Sequence, residues 1–433
     1  MRHEAPACTA WPDAPALVDE AGRTWRWREV AALRPEVGMT GPACVLQQAT
    51  SGWLVRALWA LRGTGTVPVL VHPREPAARR DALASPVVAG LASLSEAVRA
   101  GLVDVIFTSG STGTPQAVAH DEDGWQASAA GSNAALPFGP GDRWLLSLPL
   151  GHVSGLGVLE RARLGGGCVV IPRSGETLAR ALVDHGITHL SVVRAQLADL
   201  LETQEGREAL AGLKAVIVGG GPTPTRLLSE ALAAGVPLRQ TWGMTETCAM
   251  VTLTAPGAPE TCGRPLPGRL VRVTVDGLIA VGGGGLAAGL VGADGLTPLP
   301  RDADGLFVTR DLGALEPTGA LTMRGRADSV FVSGGEKVRP EEVEAALLAQ
   351  PGVREALVVP VPHPRWGMRP VAFVAATATK DGLEGLRDRL RSQLPTWAVP
   401  DALLPWPHDV VGKPSRALLA ERAAALLDAA ATG

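Results

Sequence analysis

A chain of 433 residues is long enough, at roughly 100–200 residues per domain, for two to four domains with sizeable cores. Apolar residues make up 46% and charged residues 19%, and 40 Lys and Arg stand against 43 Asp and Glu; a net charge of −3 excludes an electrostatic footprint for nucleic acid, and this composition excludes wholesale disorder. Met1–Arg23 mixes Arg2, Glu4, Asp13, Asp19 and Glu20 with prolines and lacks the apolar run of a secretory signal. Arg56 and Arg62 interrupt the most apolar stretch, Cys44–Val71, before it reaches the roughly 20 residues of a bilayer span, so neither export nor membrane insertion is expected. The five cysteines are scattered, without Cys-x-x-Cys or zinc-ligand spacing, which fits a cytoplasmic protein.

In chain order, Ala43–Leu46 and Val67–Val71 read as buried parallel strands, and Trp53–Arg62 between them carries its apolar residues on one helical face. Val103–Ile106 is the next strand and runs into the segment Thr108-Ser109-Gly110-Ser111-Thr112-Gly113-Thr114-Pro115. Glycines there let backbone N–H groups approach an anion and the hydroxyls add donors, so the segment predicts a phosphate loop. It is not a Walker A loop, since no Gly-Lys-Ser/Thr follows, and taken alone it also reads as a flexible connection. Trp144–Leu148, Cys168–Ile171, Leu190–Val193 and Ala215–Val218 continue the strands. They alternate with helical Gly175–His185 and Thr225–Ala234, after which Gly186 and Gly235 stand at C-cap positions. This is an α/β pattern with parallel layers.

Near residue 262 the pattern turns to β-like segments with glycine-rich turns, Leu270–Val275, Leu278–Val281 and Leu321–Arg324, which predict a small β subdomain over about 262–327. From Asp328 onward, strand-like Ser329–Ser333, a helix opened by Pro340 with Glu341 and Glu342 in its first turn, and strand Ala356–Val361 predict a separate α+β domain. The expected division is 1–327 and 328–433.

Six segments then stand in a recognisable order: TSGSTGTP at 108–115, VGGGPTP at 218–224, QTWGMTET at 240–247, TRDLG at 309–313, RGRADSVFVSGGEKVRPEEVE at 324–344 and GKPSR at 412–416. Through them the chain resembles the adenylate-forming acyl-CoA synthetase family over most of its length. LPLGHVSGL at 148–156 and the stretch Thr188–Leu197 are similar to the subgroup of 2-succinylbenzoate–CoA ligases in menaquinone biosynthesis. The resemblance implies ATP, Mg2+ and coenzyme A as partners of a carboxylic acid. The acid's carboxylate attacks the α-phosphorus, pyrophosphate leaves, and the acyl-adenylate then passes its acyl group to the CoA thiol. Two anions must meet in the first step, which calls for cations, N–H donors and rigid positioning.

By this resemblance Thr108, Ser109, Gly110, Ser111, Thr112 and Gly113 cradle phosphates, Gly219, Gly220 and Gly221 let the backbone approach the adenine on which Trp242 stacks, and Gly243 and Met244 belong to the ATP site. Thr245 meets the α-phosphate, and Glu246 holds Mg2+, a hard ion that prefers a carboxylate beside phosphates. Asp311 takes the ribose hydroxyls and Arg326 the ribose or phosphate side. Lys413 bridges the attacking carboxylate and the α-phosphoryl oxygen. Asp328 is the hinge of a mobile C-terminal lid, and in its second conformer Ser333–Lys337 faces the site. Read without the resemblance, Trp242 is also an ordinary core residue, Glu246 a surface carboxylate and Lys413 a solvated turn lysine.

His152, Ser154 and Arg194 are the expected acid-binding residues. Arg194 either recognises a second carboxylate or sits on the surface, and His152 either touches substrate or is a hydrogen-bonded structural residue. Gln116 stands where the family has Lys, and Gly282–Leu290 lacks the family's aromatic. Another aryl or acyl acid, a carrier protein in place of CoA, and a nucleotide-binding module without catalysis are the alternatives, and a homodimer is compatible with any of them.

Overall fold

The computed structural model describes residues 6–108, 115–259, 261–376, 382–407 and 416–432. The larger sheet has nine strands in the order Arg264–Pro265, Ala249–Leu253, Leu238–Met244, Ala215–Val218, His189–Val192, Arg143–Leu145, Cys168–Val170, Pro15–Val18, Thr24–Arg26. It is parallel from Leu238–Met244 through Pro15–Val18. A six-stranded sheet runs Gly295–Thr297, Gly289–Gly292, Ala117–Asp121, Leu102–Phe107, Val67–Leu70, Ala43–Leu46, with the last three parallel. Val67–Leu70, His189–Val192 and Ala215–Val218 are buried along their whole length. Helices on both faces leave no side for solvent, which is why these strands read as unbroken apolar runs.

The largest core lies between the two sheets and takes in Trp27, Trp125 and Trp144, with helices Gly52–Leu61, Glu122–Ala135 and Val153–Gly165 filling the layer. A second core packs helices Leu178–Asp184, Arg194–Glu202 and Thr225–Ala233 on the outer face of the nine-stranded sheet. A third packs helix Ala77–Ser93 on the outer face of the other. The predicted helix Gly175–His185 begins later than expected, at Leu178, because the Thr177 hydroxyl accepts from Arg180 N–H and caps it there.

Within 262–327, Arg269–Val273, Leu278–Gly283, Phe307–Leu315 and Leu321–Arg326 form an antiparallel sheet of their own. Gly289–Gly292 instead leaves it to pair with Ala117–Asp121. The C-terminal sheet comprises Glu336–Val338, Phe331–Ser333, Gly367–Ala376, Val353–His363 and Ala402–Pro405. It packs helix Pro340–Leu348 over a separate core of Val338, Leu347, Val358 and Val374. Among the described residues no helix is long and apolar enough to cross a membrane.

The inner helices are tied by a buried ionic quartet. Arg62 pairs with Glu122 and Glu160, and Arg163 pairs with Glu122 and, at 2.9 Å, with Glu160. Burial opposes ionisation of Glu160, but the two guanidiniums outweigh it and hold its carboxyl below the usual carboxylate range. With the folded value depressed, this contribution to stability is complete above the unfolded value near 4.5 and is lost as pH falls through the folded one. Glu160→Gln is expected to cost about 3–5 kcal/mol in urea unfolding at pH 7, since it leaves buried cations short of a counter-charge. A loss below about 1 kcal/mol would mean that water or neighbours satisfy the quartet.

Candidate nucleotide and acid site

Four neighbouring parallel strands end along one edge of the nine-stranded sheet, the place where ligands bind in open α/β sheets. Ser147–His152 follows Arg143–Leu145, Val193–Gln196 follows His189–Val192, Gly219–Gly221 follows Ala215–Val218, and Leu238–Met244 runs into the one-turn helix Thr245–Thr247. Topology thus gathers Gly219, Gly220, Gly221, Trp242, Gly243, Met244, Thr245, Glu246, His152, Ser154 and Arg194 along one rim. Gly220 has φ of 84°, a value open to glycine, and lies exposed in the turn. At Gly243 a Cβ would lie 2.0 Å from the Ala249 carbonyl oxygen, so the returning strand demands glycine there.

Trp242 is 8% exposed and belongs to the apolar cluster of Val118, Val251, Val281 and Phe307. Its Nε1–H donates to Asp311 Oδ2 at 2.8 Å. Asp311 and Arg326 are register partners on adjacent antiparallel strands, and Arg326 Nη1 donates to Asp311 Oδ1 at 2.9 Å. The rest of the Arg326 fork grips Asp328 through Nε at 2.9 Å and Nη2 at 2.8 Å. The residue expected on the ribose side therefore joins the ribose acceptor to the expected hinge. Two of the roughly four lone-pair positions of the Asp311 carboxylate are used in this way, which leaves room for vicinal hydroxyls.

Behind the turn stands a pair that reading by motif missed. Asp104 and His120 are register partners in the six-stranded sheet, fully buried, with His120 Nδ1 2.6 Å from Asp104 Oδ1 and Nε2 2.8 Å from the Thr245 carbonyl oxygen. Trp125 Nε1–H donates to the other Asp104 oxygen at 2.8 Å. Both neighbours of the imidazole accept, so both ring nitrogens carry protons. Burial opposes that charge, but the Asp104 carboxylate and the Thr245 carbonyl outweigh it and hold the pKa above its ordinary value. The available signal was a charged residue inside the apolar strand Leu102–Phe107.

Glu246 is half-buried at the same turn. Burial pushes its carboxyl above the usual range, against the opposing charges of Arg326 and His120. No group of three His, Cys, Asp or Glu side chains forms a metal cage among the described residues. A lone carboxylate suits Mg2+ arriving with phosphates, which supply the remaining oxygens.

The sequence of residues 41–285 matches the family described as AMP-binding enzyme, and residues 342–408 match the AMP-binding enzyme C-terminal domain. The chain belongs to the AMP-binding enzyme family. A 2-succinylbenzoate–CoA ligase of Salmonella typhimurium is 39% identical over 71% of this chain and 66% of that relative, so the match spans just under two thirds of its length. A probable 2-succinylbenzoate–CoA ligase of Mycobacterium tuberculosis is 37% identical over 75% of this chain and 85% of the relative. The solved structure of an arginine-to-lysine variant of E. coli MenE with bound OSB-AMS superposes with a TM-score of 0.80 at 27% identity, covering 98% of this chain and 99% of that one.

Other residues of this AMP-binding enzyme fall at the rim or outside the described residues. Thr108 N–H donates to the Gln116 carbonyl at 2.9 Å, closing the base of the expected phosphate loop. Ser109, Gly110, Ser111, Thr112 and Gly113 lie outside the described residues, as does Lys413. His152 is exposed at the start of helix Val153–Gly165, 6.3 Å from the His72 ring, with Ser154 half-buried beside it. Arg194 opens helix Arg194–Glu202, reaches the Pro222 carbonyl at 3.4 Å and pairs with Glu355 of the C-terminal sheet. Arg354 pairs with Glu202 at 2.9 Å, so two crossed ion pairs join this helix to that sheet.

Proposed function

We propose that this AMP-binding enzyme is an ATP-dependent acid–CoA ligase acting on 2-succinylbenzoate in menaquinone biosynthesis. The observation that carries the reading is identity of 37–39% to proteins named for that ligase activity. The Trp242–Asp311–Arg326 network beside Thr245 and Glu246 supports it, since it offers a ribose acceptor and a phosphate-facing turn at one sheet edge.

In the adenylation step a carboxylate oxygen forms the bond to the α-phosphorus as the bond to the pyrophosphate oxygen breaks. Asp311 accepts from the ribose hydroxyls, the glycines at 219–221 let the backbone approach the base, and Trp242 anchors Asp311 while its ring borders the adenine. Thr245 donates to the α-phosphate. Glu246 would hold Mg2+, which when bound neutralises phosphate charge. Lys413 places its ammonium between the attacking carboxylate and the α-phosphoryl oxygen, and Ser109–Gly113 hold the departing phosphates. In the second step the CoA sulfur bonds to the acyl carbon, its proton is lost and AMP leaves. Rotation of residues 328–433 about Asp328 against 1–327 exchanges Lys413 for the Ser333–Lys337 side. His152 faces the acid, and Arg194, paired here with Glu355, becomes the partner of its second carboxylate once rotation of the C-terminal domain parts it from Glu355.

The test is acid-dependent AMP formation with ATP, Mg2+ and CoA, comparing 2-succinylbenzoate with benzoate and medium-chain fatty acids. Preference for 2-succinylbenzoate is expected. Preference for a monocarboxylic acid would remove this acid and leave the adenylation chemistry, and AMP formation with no acid in the panel would oppose the reading itself.

A further inference from the structure

Cys248 and Ala249, directly after the Thr245–Thr247 turn, have φ of 47° and 76°. Non-glycine residues keep such left-handed values only where their surroundings over-determine them, often at functional sites. Here the determination acts through backbone carbonyls. His120 reaches the Thr245 oxygen, Ala287 N–H donates to Glu246 at 2.8 Å, and Ser128 Oγ donates to Cys248 at 2.5 Å. One Arg269 nitrogen donates to both Thr247, at 2.7 Å, and Met250, at 3.0 Å. The Thr247 hydroxyl accepts from Met244 N–H and has one proton to give, to the Met244 or the Ala249 carbonyl. Every carbonyl from Thr245 to Met250 therefore has a donor within reach.

Arg269 is the unusual member. Its other contact is the Gly284 carbonyl at 2.5 Å, and no carboxylate pairs with it among the described residues. Burial pushes its guanidinium down to about 10. Arg269 is half-buried; cations so withdrawn from water normally have an anionic partner, and here backbone dipoles take that place. The planar fork spreads its donors over three carbonyls from a fixed point on a neighbouring sheet, Nη2 reaching Thr247 and Met250 while Nη1 reaches Gly284.

We propose that Arg269, Ser128 and His120 are positioning residues for adenylation, gripping the turn from behind so that Thr245 and Glu246 meet the developing charge at phosphorus without having to move. The proposal rests on the function proposed above. Displacement of a reacting group by about 1 Å can cost about 100-fold in rate, so a turn held at successive carbonyls has a kinetic consequence as well as a structural one.

The test uses full-length Arg269→Met and Ser128→Ala, the second removing a single donor so that a folded variant is available. Acid-dependent pyrophosphate release and thioester formation from preformed acyl-adenylate are measured separately, with melting temperatures alongside. Expected is a fall of about tenfold in kcat for pyrophosphate release in Arg269→Met, the scale of one charge-assisted bond, and a smaller one in Ser128→Ala. Thioester formation should hold, and Arg269→Met added to Glu246→Gln should lower the rate little further than Glu246→Gln alone, because both act through one turn. Equal falls in both half-reactions, or full additivity with Glu246→Gln, would overturn the positioning role. A wild-type chain that releases no pyrophosphate with any acid would overturn the functional reading and this proposal together.

Discussion

Lys413→Ala is expected to slow acid-dependent pyrophosphate release by about 100- to 1000-fold, the scale of one preorganised donor to developing charge, while thioester formation from preformed acyl-adenylate stays near the wild-type rate. In the proposed adenylation step a carboxylate approaches an α-phosphate, and where two like charges meet out of bulk water a single ammonium is worth far more than it would be in solvent. The second step joins a thiol to an already activated carbonyl and has no such repulsion to relieve. The described residues on either side of 408–415 are tied to the C-terminal domain. Trp406 N–H bonds to the Val374 carbonyl at 3.0 Å, and Arg416 grips Glu344 at 2.5 Å, the Val358 carbonyl at 2.6 Å and Glu341 at 3.0 Å. Quench-flow measurement of the two half-reactions separates the outcomes, and comparable loss in both would show that Lys413 serves the fold or the thiol step instead.

Asp311→Asn should raise the KM for ATP by about 10- to 100-fold, from the 1.5–3 kcal/mol typical of a hydrogen bond to a charged group. The carboxylate is 8% exposed and already accepts from Trp242 and Arg326, so its orientation is set before nucleotide arrives. The amide keeps the shape but trades two lone pairs for two donors, turning one of these contacts repulsive and weakening acceptance from ribose. Trp242→Phe is the control: it removes one donor, keeps an aromatic ring and the charge, and should raise KM only about fivefold. A KM unchanged in Asp311→Asn, with the melting temperature also unchanged, would remove Asp311 from the nucleotide site.

Several elements were legible from local residues because the forces that form them are local. Ala43–Leu46 and Ala215–Val218 both form, but only the second is buried along its whole length; the first is the edge strand of its sheet and leaves Val45 exposed, so the expectation of a buried strand there is corrected. Pro340 opens its helix because a missing N–H costs nothing at that position. Gly186 and Gly235 follow their helices with φ of 58° and 74° for the corresponding reason at the other end. Of the proposed site, Thr245, Glu246, Trp242 and Asp311 stand in an ordered set of motifs.

What lay beyond the sequence is each pairing between distant segments. The glycine-rich run at 282–290 has no periodicity, so nothing in it announces that Gly289–Gly292 crosses to the Ala117–Asp121 strand. Asp104 looks like an interruption of an apolar strand until the register sets it opposite His120 and beside Trp125. Arg194, read as either a substrate contact or a surface residue, meets Glu355 across 161 positions of chain. By itself the amino-acid order determined the strands, the caps and the residue types that chemistry would need, because propensity and hydrophobic pattern act over a few neighbours. Only the tertiary structure decided that Arg269, remote from every motif, holds the carbonyls of the turn that carries Thr245 and Glu246, because a buried donor finds its acceptor through the packing of sheets and not through spacing along the chain.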